Sequence, residues 1–296
     1  MEQAYHKYRM ATSKAKNTPK VERILLPFEH TTASDRLLLY FTQLPLLRDP
    51  NRKNLDTFVI VSFEEDSTRQ KIIQRALGSH GVECEFIDQN KALCGKEKES
   101  DEFFLSLLSS SITDATAKSD LERILYMVAL VKTAEQLDCS KIYLSDTCNR
   151  ISIDAINFIC TGRGMSIPWL LAVRQNFIHS DTTICVVRPL RELVDLEVTN
   201  YLRLIPQTCS ILDLDVDERP KSIQVLTESF LEGLDKDNPA TVSNVIRTLG
   251  KVDTATSNID QWTPCALCFC PLPKNADDDS LYCKACGGLI KAVQKH

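Results

Sequence analysis

The sequence predicts an α/β protein, a parallel sheet with helices on both faces, followed by a small cysteine-rich appendage. Short segments enriched in β-branched and aromatic residues alternate with longer segments of helical period, the patterns that distinguish buried strands from amphipathic helices. Strand, helix, strand repeated along one chain favours parallel pairing, because each crossover helix returns the chain to the same end of the sheet. Two C-x-x-C pairs near the C-terminus then mark the appendage.

The strands are expected at 22–27 (ERILLP), 56–63 (DTFVIVSF), 82–88 (VECEFID), 141–145 (KIYLS) and near 183–188. The clearest helix is 119–138, where Leu121, Ile124, Leu125, Val128, Leu130, Val131, Ala134 and Leu137 form one apolar stripe, as a core helix requires. Ser119 and Glu122 have the spacing of a capping box there. Residues 24–41, ILLPFEHTTASDRLLLYF, read as strand, loop and a helix beginning near Ser34. Ligands of such sheets bind beyond the carboxyl ends of the strands, and this loop lies at one of them. A phosphate-binding junction ordinarily carries glycines, since only a backbone without Cβ freely turns its N–H groups onto an anion at a helix N-terminus. The loop positions Glu29, His30, Thr31, Thr32, Ser34 and Asp35 hold no glycine. The Glu29 carboxylate also stands where an anion has to approach, and Ser34 is expected to act as a helix N-cap.

After residue 206 the acidic ILDLDVDERP leads into two short helical segments, SIQVLTESFLEGLD and PATVSNVIRTLGKV, separated by Asn238 and Pro239. KEKESDE at 96–102 reads as an exposed charged loop. The expected organisation is a basic arm at 1–20, an α/β domain at 21–205, a helical connector at 206–260 and a ribbon at 261–296.

The 296 residues, 43% of them hydrophobic, suffice for one such domain with an appendage. Apolar runs such as MVALV at 127–131 fall far short of the roughly 20 residues of a membrane span. The N-terminus lacks an apolar secretory core, so the twelve cysteines are expected as thiols or metal ligands in the cytosol. Residues 1–20 carry Lys7, Arg9, Lys14, Lys16 and Lys20 against Glu2 alone, on a chain of net charge -5. A frayed solvated terminus, an RNA contact and an acid-poor transit peptide all fit that arm.

The strongest chemical signal is CALCFCPLPKNADDDSLYCKAC, 265–286. Cys265 with Cys268, and Cys283 with Cys286, form two knuckles that can close a tetrahedron of thiolates around Zn²⁺. Four thiolates leave no open position, so the expected metal is structural, and its binding would supply most of the folding free energy of so small a unit. A redox dithiol and an iron–sulfur site are the alternatives. Cys270 reads as a spare thiol or an alternative ligand. Cys84, Cys94, Cys139, Cys148, Cys160, Cys185 and Cys209 are scattered singly and read mostly as small buried hydrophobes. Cys148 and Cys209 fall nearest the expected ligand edge, and nothing in the sequence makes either a nucleophile.

Several stretches resemble the cytoplasmic tRNA 2-thiolation protein 2 family. They are DLERILYMVALVKTAEQLDCSKIYLSDTCNRISIDAINFICTGRG at 120–164, VVRPLRELVDLEVTNY at 186–201, SIQVLTESFLEGLDKDNPATVSNVIRTLGKV at 222–252, and the ribbon. The most specific parts are GRG at 162–164, Val187-Arg188-Pro189-Leu190, and NPATVSNVIRTLGKV. The resemblance spans roughly residues 5–290 and implies a doubly wound sheet of the PP-loop ATP pyrophosphatase type. In active relatives of that type an SGGxDS loop holds ATP pyrophosphate and paired cysteines carry sulfur. Here Ser34 and Asp35 occupy the end of the loop motif without its glycines, and SSSITDATAKSD at 109–120 has no cysteine where active relatives place C-x-x-C. The family also begins with a cysteine-containing segment upstream of YHKYRMATSK, which is expected to be missing from this chain.

The resemblance therefore implies a non-catalytic subunit of a cytosolic heterodimer that converts the wobble uridine of certain tRNAs to 2-thiouridine. Its partner would adenylate the uridine C2 oxygen, creating a leaving group that sulfur from a ubiquitin-related modifier thiocarboxylate displaces. This chain would stabilise the partner and extend the tRNA surface, with Lys14, Lys16, Arg163, Arg188 and Arg191 as candidate phosphate contacts. Zinc is the implied cofactor, ATP is not expected in this subunit, and no membrane is involved. Two rival readings are an ATP-dependent thiolation enzyme with an unusual loop, and a zinc-ribbon scaffold with no tRNA role.

Overall fold

The computed structural model describes residues 2–13, 21–28, 32–48, 56–78, 81–94, 112–179, 182–205, 221–238, 240–252, 262–273 and 281–293. Its main sheet contains β1 (Arg23–Pro27), β2 (Thr57–Ser62), β3 (Cys84–Phe86), β4 (Lys141–Tyr143), β5 (Arg174–His179) and β6 (Thr182–Val187). They stand in the order β3-β2-β1-β4-β6-β5. All neighbours pair in parallel except β5, which runs antiparallel to β6 at the edge, Arg174 opposite Val187 and His179 opposite Thr182.

Side-chain alternation along the strands sorts the core into two layers. Ile24 and Leu26 of β1 pack with α1 (Glu2–Thr12), α2 (Ala33–Arg48), α3 (Ser67–Gly78) and, further along the chain, the helix Asp195–Arg203. Leu25, between them, faces the other way with Val61, Ile142 and Val186. That face is covered by α4 (Gln89–Cys94) and α5 (Ala115–Gln136), which contributes Ala129, Leu130, Val131 and Ala134. Burial on both faces explains why these strands read as continuous apolar runs. Beyond them follow α6 (Cys148–Cys160), α7 (Ile167–Leu171), α8 (Asp195–Arg203), α9 (Ile223–Asp237) and α10 (Thr241–Leu249). Ile151, Ala155, Ile167 and Leu171 make a separate small core against which Ile246 and Leu249 pack. The two helices expected after residue 221 are thus present.

Three local expectations differ from the structure. The long helix starts at Ala115, one turn before Ser119, because Asp114 supplies the cap and its Oδ2 accepts the Ala117 N–H at 2.8 Å. The 2–12 part of the basic arm is a helix whose Ala4, Tyr5 and Tyr8 are buried, with both rings against Phe41. A solvated terminus would leave that aromatic area in water, so burial outweighs fraying there. Strand β5 was not expected; RQNFIH lacks an apolar run, because an edge strand needs to bury only alternate residues, here Gln175 and Phe177. No helix among the described residues is long and apolar enough to cross a membrane.

Candidate cleft and cysteine centre

Strand order reverses between β1 and β4, so the connections that leave them diverge and open a crevice at their carboxyl ends. The crevice is a cleft of about 640 Å³. Pro27 and Thr32 to Asp35 form one side, Leu144 to Thr147 the other, and Arg163 and Arg188 with Cys268 and Cys270 part of the remaining wall. This is where the sequence places the degenerate nucleotide loop. Thr32 caps α2: its Oγ1 accepts the Asp35 N–H at 3.3 Å and lies 2.9 Å from Ser34 Oγ. The cap is therefore Thr32 rather than Ser34, two residues earlier than expected. Asp35 is 8% exposed and accepts a hydrogen bond from Ser145 Oγ. Burial pushes its carboxyl above the usual range, against the lowering effect of the Ser145 and Thr32 hydrogen bonds. Glu29, His30 and Thr31 lie outside the described residues, as do Lys14, Lys16 and Cys209.

The cleft's cations are matched to its own carboxylates. Arg123 forks onto both oxygens of Asp154, which also has Arg150 Nε at 3.4 Å. Arg188 Nε donates to Asp146 at 2.8 Å and its Nη1 to Gln175 Oε1, while Gln175 Nε2 donates to the Trp169 carbonyl at 2.7 Å. Arg163 Nη1 donates to the two Asp120 oxygens at 2.9 and 2.8 Å and to Thr161 Oγ1 at 3.0 Å. Burial, together with Arg150, pulls the Arg123 guanidinium down to about 9.

These pairings revise the expected phosphate contacts. Arg163 and Arg188 are each 3% exposed. Drawing either onto a phosphate would separate a buried guanidinium from the half-buried Asp120 or Asp146 and break hydrogen bonds that this cation already makes. Arg191 is half-buried, and burial lowers its pKa. The partners Asp120, Asp146 and Asp154 were not anticipated: their arginines stand 43, 42 and 31 residues away, and no spacing rule links them.

The ribbon supplies the second centre. β7 (Trp262–Pro264) pairs antiparallel with β8 (Pro271–Pro273), and α11 (Lys284–Val293) follows. The first knuckle turns through Phe269, at φ +59°, with the Phe269 N–H on the Cys265 carbonyl and the Cys265 N–H on the Cys270 carbonyl, both 2.9 Å. The Sγ atoms of Cys265, Cys268, Cys283 and Cys286 all lie within 4.8 Å of one another, Cys268 and Cys283 at 3.8 Å. Backbone N–H groups point at the sulfurs: Cys283 N–H to Cys265 Sγ at 3.3 Å and Cys286 N–H to Cys283 Sγ at 3.4 Å. Hydrogen bonds from the other three cysteines hold the Cys265 thiol far below its ordinary range. Cys265, Cys283 and Cys286 pack with Ile112, Leu121 and Ile124, so the centre is seated on the first turns of α5. Cys270 is buried beside it. Cys148 is buried too, 3.9 Å from Ser243 Oγ, and burial raises its pKa, the opposite of what an activated thiol needs.

Comparisons with known proteins agree with this geometry. The family model for cytoplasmic tRNA 2-thiolation protein 2 matches residues 222–288, the hairpin and ribbon. The protein of that name from Danio rerio is 33% identical over 190 residues, covering 60% of this chain and 36% of its own. The one from Bos taurus is 31% identical over 214 residues, covering 70% and 42%. This chain thus spans well under half the length of these relatives. Among solved structures, the U34-tRNA thiolase NcsA from Methanococcus maripaludis with its [4Fe-4S] cluster superposes with a TM-score of 0.59 over 97% of this chain and 86% of that one, at 11% identity. The α/β fold of the PP-loop type expected from the sequence is that fold, and the family resemblance is shown.

Proposed function

Starting from this likeness to cytoplasmic tRNA 2-thiolation protein 2, we propose that the chain is the non-catalytic subunit of a cytoplasmic tRNA 2-thiolation heterodimer. The observation that carries the reading is the state of the cleft. It sits where the fold would hold a nucleotide, yet its guanidinium groups at Arg123, Arg163 and Arg188 are bound to Asp154, Asp120 and Asp146, and Asp35 projects from the helix cap. A polyphosphate would meet carboxylates there, where binding needs free N–H donors and positive charge. The catalytic subunit then supplies the ATP site, and the ubiquitin-related sulfur carrier acts through it. Lys14, Lys16 and Arg191 remain the candidate phosphate contacts for tRNA.

The four cysteines fit structural zinc. A tetrahedron with Zn–S near 2.3 Å has sulfur–sulfur edges of about 3.8 Å, the separation of Cys268 and Cys283. Thiolates that each hold a separate iron of a four-iron cluster must stand farther apart than thiolates sharing one ion. Zinc would supply cross-linking of the ribbon and no open coordination position. The chain's own residues do the rest: Cys265, Cys268, Cys283 and Cys286 hold the ion, and Leu121 and Ile124 seat the ribbon on α5.

Reconstitution tests the reading. A tRNA 2-thiolation assay with this chain, with a catalytic subunit, and with both is expected to show product only for the pair, and Asp35→Asn in this chain should leave that activity in place. Thiolation by this chain alone would overturn the proposal.

A further inference from the structure

The GRG segment at 162–164 sets Arg163 into the wall of the cleft, and its geometry does more than pair that arginine with Asp120. Helix α6 ends in a six-to-one and five-to-two hydrogen-bond pair, the Arg163 N–H on the Phe158 carbonyl at 2.7 Å and the Gly162 N–H on the Ile159 carbonyl at 3.2 Å. Such an end takes its left-handed residue at the fifth of the six positions, just past the cap. Gly162 provides it at φ +84°, a conformation in which a side chain would be strained. The chain thereby reverses, and Arg163 is held against the ribbon. Its Nη1 is fixed by Asp120 of α5, its face lies 5.8 Å from the Phe158 ring centre, and its Nη2 donates to Cys286 Sγ at 3.5 Å. Among the contacts of the described residues, this places a guanidinium directly on a sulfur of the cysteine centre.

A zinc ion with four thiolates carries two excess negative charges. Placing that charge in a buried setting is costly unless donors and cations face the sulfurs. Arg163 is 3% exposed and Cys286 fully buried, so water cannot take this role. We propose that Arg163 is the outer-sphere residue of the cysteine centre: it stabilises the metal-loaded state through Cys286 and, through Asp120, ties the ribbon to the wall of the cleft. Asp120, Phe158, Arg163 and Cys268 all line that cleft, so metal occupancy and the order of the cleft wall are coupled. The inference rests on the zinc reading above and concerns a positioning residue.

The test uses the full chain, purified with its metal. Zinc content of the wild type is measured first, then its release to a chromogenic chelator is followed for the wild type, Arg163→Met and Arg163→Lys, with far-UV circular dichroism to confirm folding. Outer-sphere partners of metal ligands are typically worth roughly 10–100-fold in metal affinity. The expected result is release faster by at least tenfold in Arg163→Met, with partial recovery in Arg163→Lys, which keeps the charge and loses the fork. Hydrogen exchange over residues 112–126 should rise in Arg163→Met together with metal loss. Release unchanged in folded variants would overturn the role of Arg163 while leaving zinc in place. A wild type that holds no zinc would overturn the zinc reading and this inference with it. Gly162→Ala, which displaces Arg163 without altering any charge, is expected to behave like Arg163→Met; wild-type release from this variant would also contradict the proposal.

Discussion

The cleft and the cysteine centre stand side by side, sharing Cys268 and Arg163 in their walls, and they have fared differently. In the cleft the backbone frame is intact: β1, the cap at Thr32, the switch point between β1 and β4, and the N-terminus of α6 at Thr147 are all in place. The side chains that would bind an anion there face inward onto carboxylates. In the cysteine centre the reverse holds, since its frame is slight, with two three-residue strands, while its ligands are complete. A frame held by a hydrophobic core does not depend on a bound ligand, because Ile24, Leu25 and Leu26 are buried whether or not a nucleotide binds. A ribbon held by zinc, as proposed above, could not part with its ligands, because they would be its core.

That contrast predicts the largest effect at the metal. Cys265→Ser or Cys286→Ser is expected to abolish zinc retention and unfold the ribbon, removing a contribution on the order of 10–16 kcal/mol by analogy with small zinc peptides, while the sheet remains folded. Elemental analysis with hydrogen exchange resolved by segment checks this; uniform loss of protection across β1 and β4 would break the distinction between the two regions. Next in size is Asp154→Ala, which leaves the half-buried Arg123 beside Arg150 without its carboxylate. A loss of up to about 3 kcal/mol, the low end for breaking a buried pair, is expected in urea unfolding, with zinc content unchanged. Smaller again is Thr32→Ala, which removes the α2 cap at a cost of about 0.5–2 kcal/mol, whereas Ser34→Ala should cost less.

The subtlest prediction concerns pH. Burial raises the Asp35 carboxyl above its ordinary value, so the folded chain binds this proton more tightly than the unfolded chain. Its stabilising contribution is full below the unfolded value, declines as pH rises from there to the raised folded value, and is level above it. Asp35→Asn should flatten that limb of the stability profile and leave the neutral-pH protein no less stable. A profile identical to the wild type would show that Asp35 is solvated.

Legibility in the sequence followed the same division. The strands near 22–27, 56–63 and 141–145 were readable because two-sided burial leaves a mark on every residue, and the C-x-x-C pairs because their spacing is itself the chemistry. Strand β5 was not, since Gln175 enters the core as an amide bonded to Arg188 and Trp169, and a polar residue gives no periodic signal. The start of α5 was misplaced by one turn because Asp114 and Ser119 are both good caps and only tertiary packing chooses between them. The arginines were visible as charges, but their partners are distant in sequence. GRG could be recognised as specific, while its reason, a left-handed helix stop that aims Arg163 at Cys286, needed the geometry.

The central claim is that the cleft keeps a nucleotide-binding shape without nucleotide-binding chemistry. Calorimetric titration of ATP into the zinc-loaded chain alone tests it most directly. The account predicts no heat of binding at micromolar to millimolar ATP, with binding appearing only when the catalytic subunit is present. Micromolar affinity in the chain alone, abolished by substitutions within residues 29–35, would contradict it and make this chain an ATP-using enzyme.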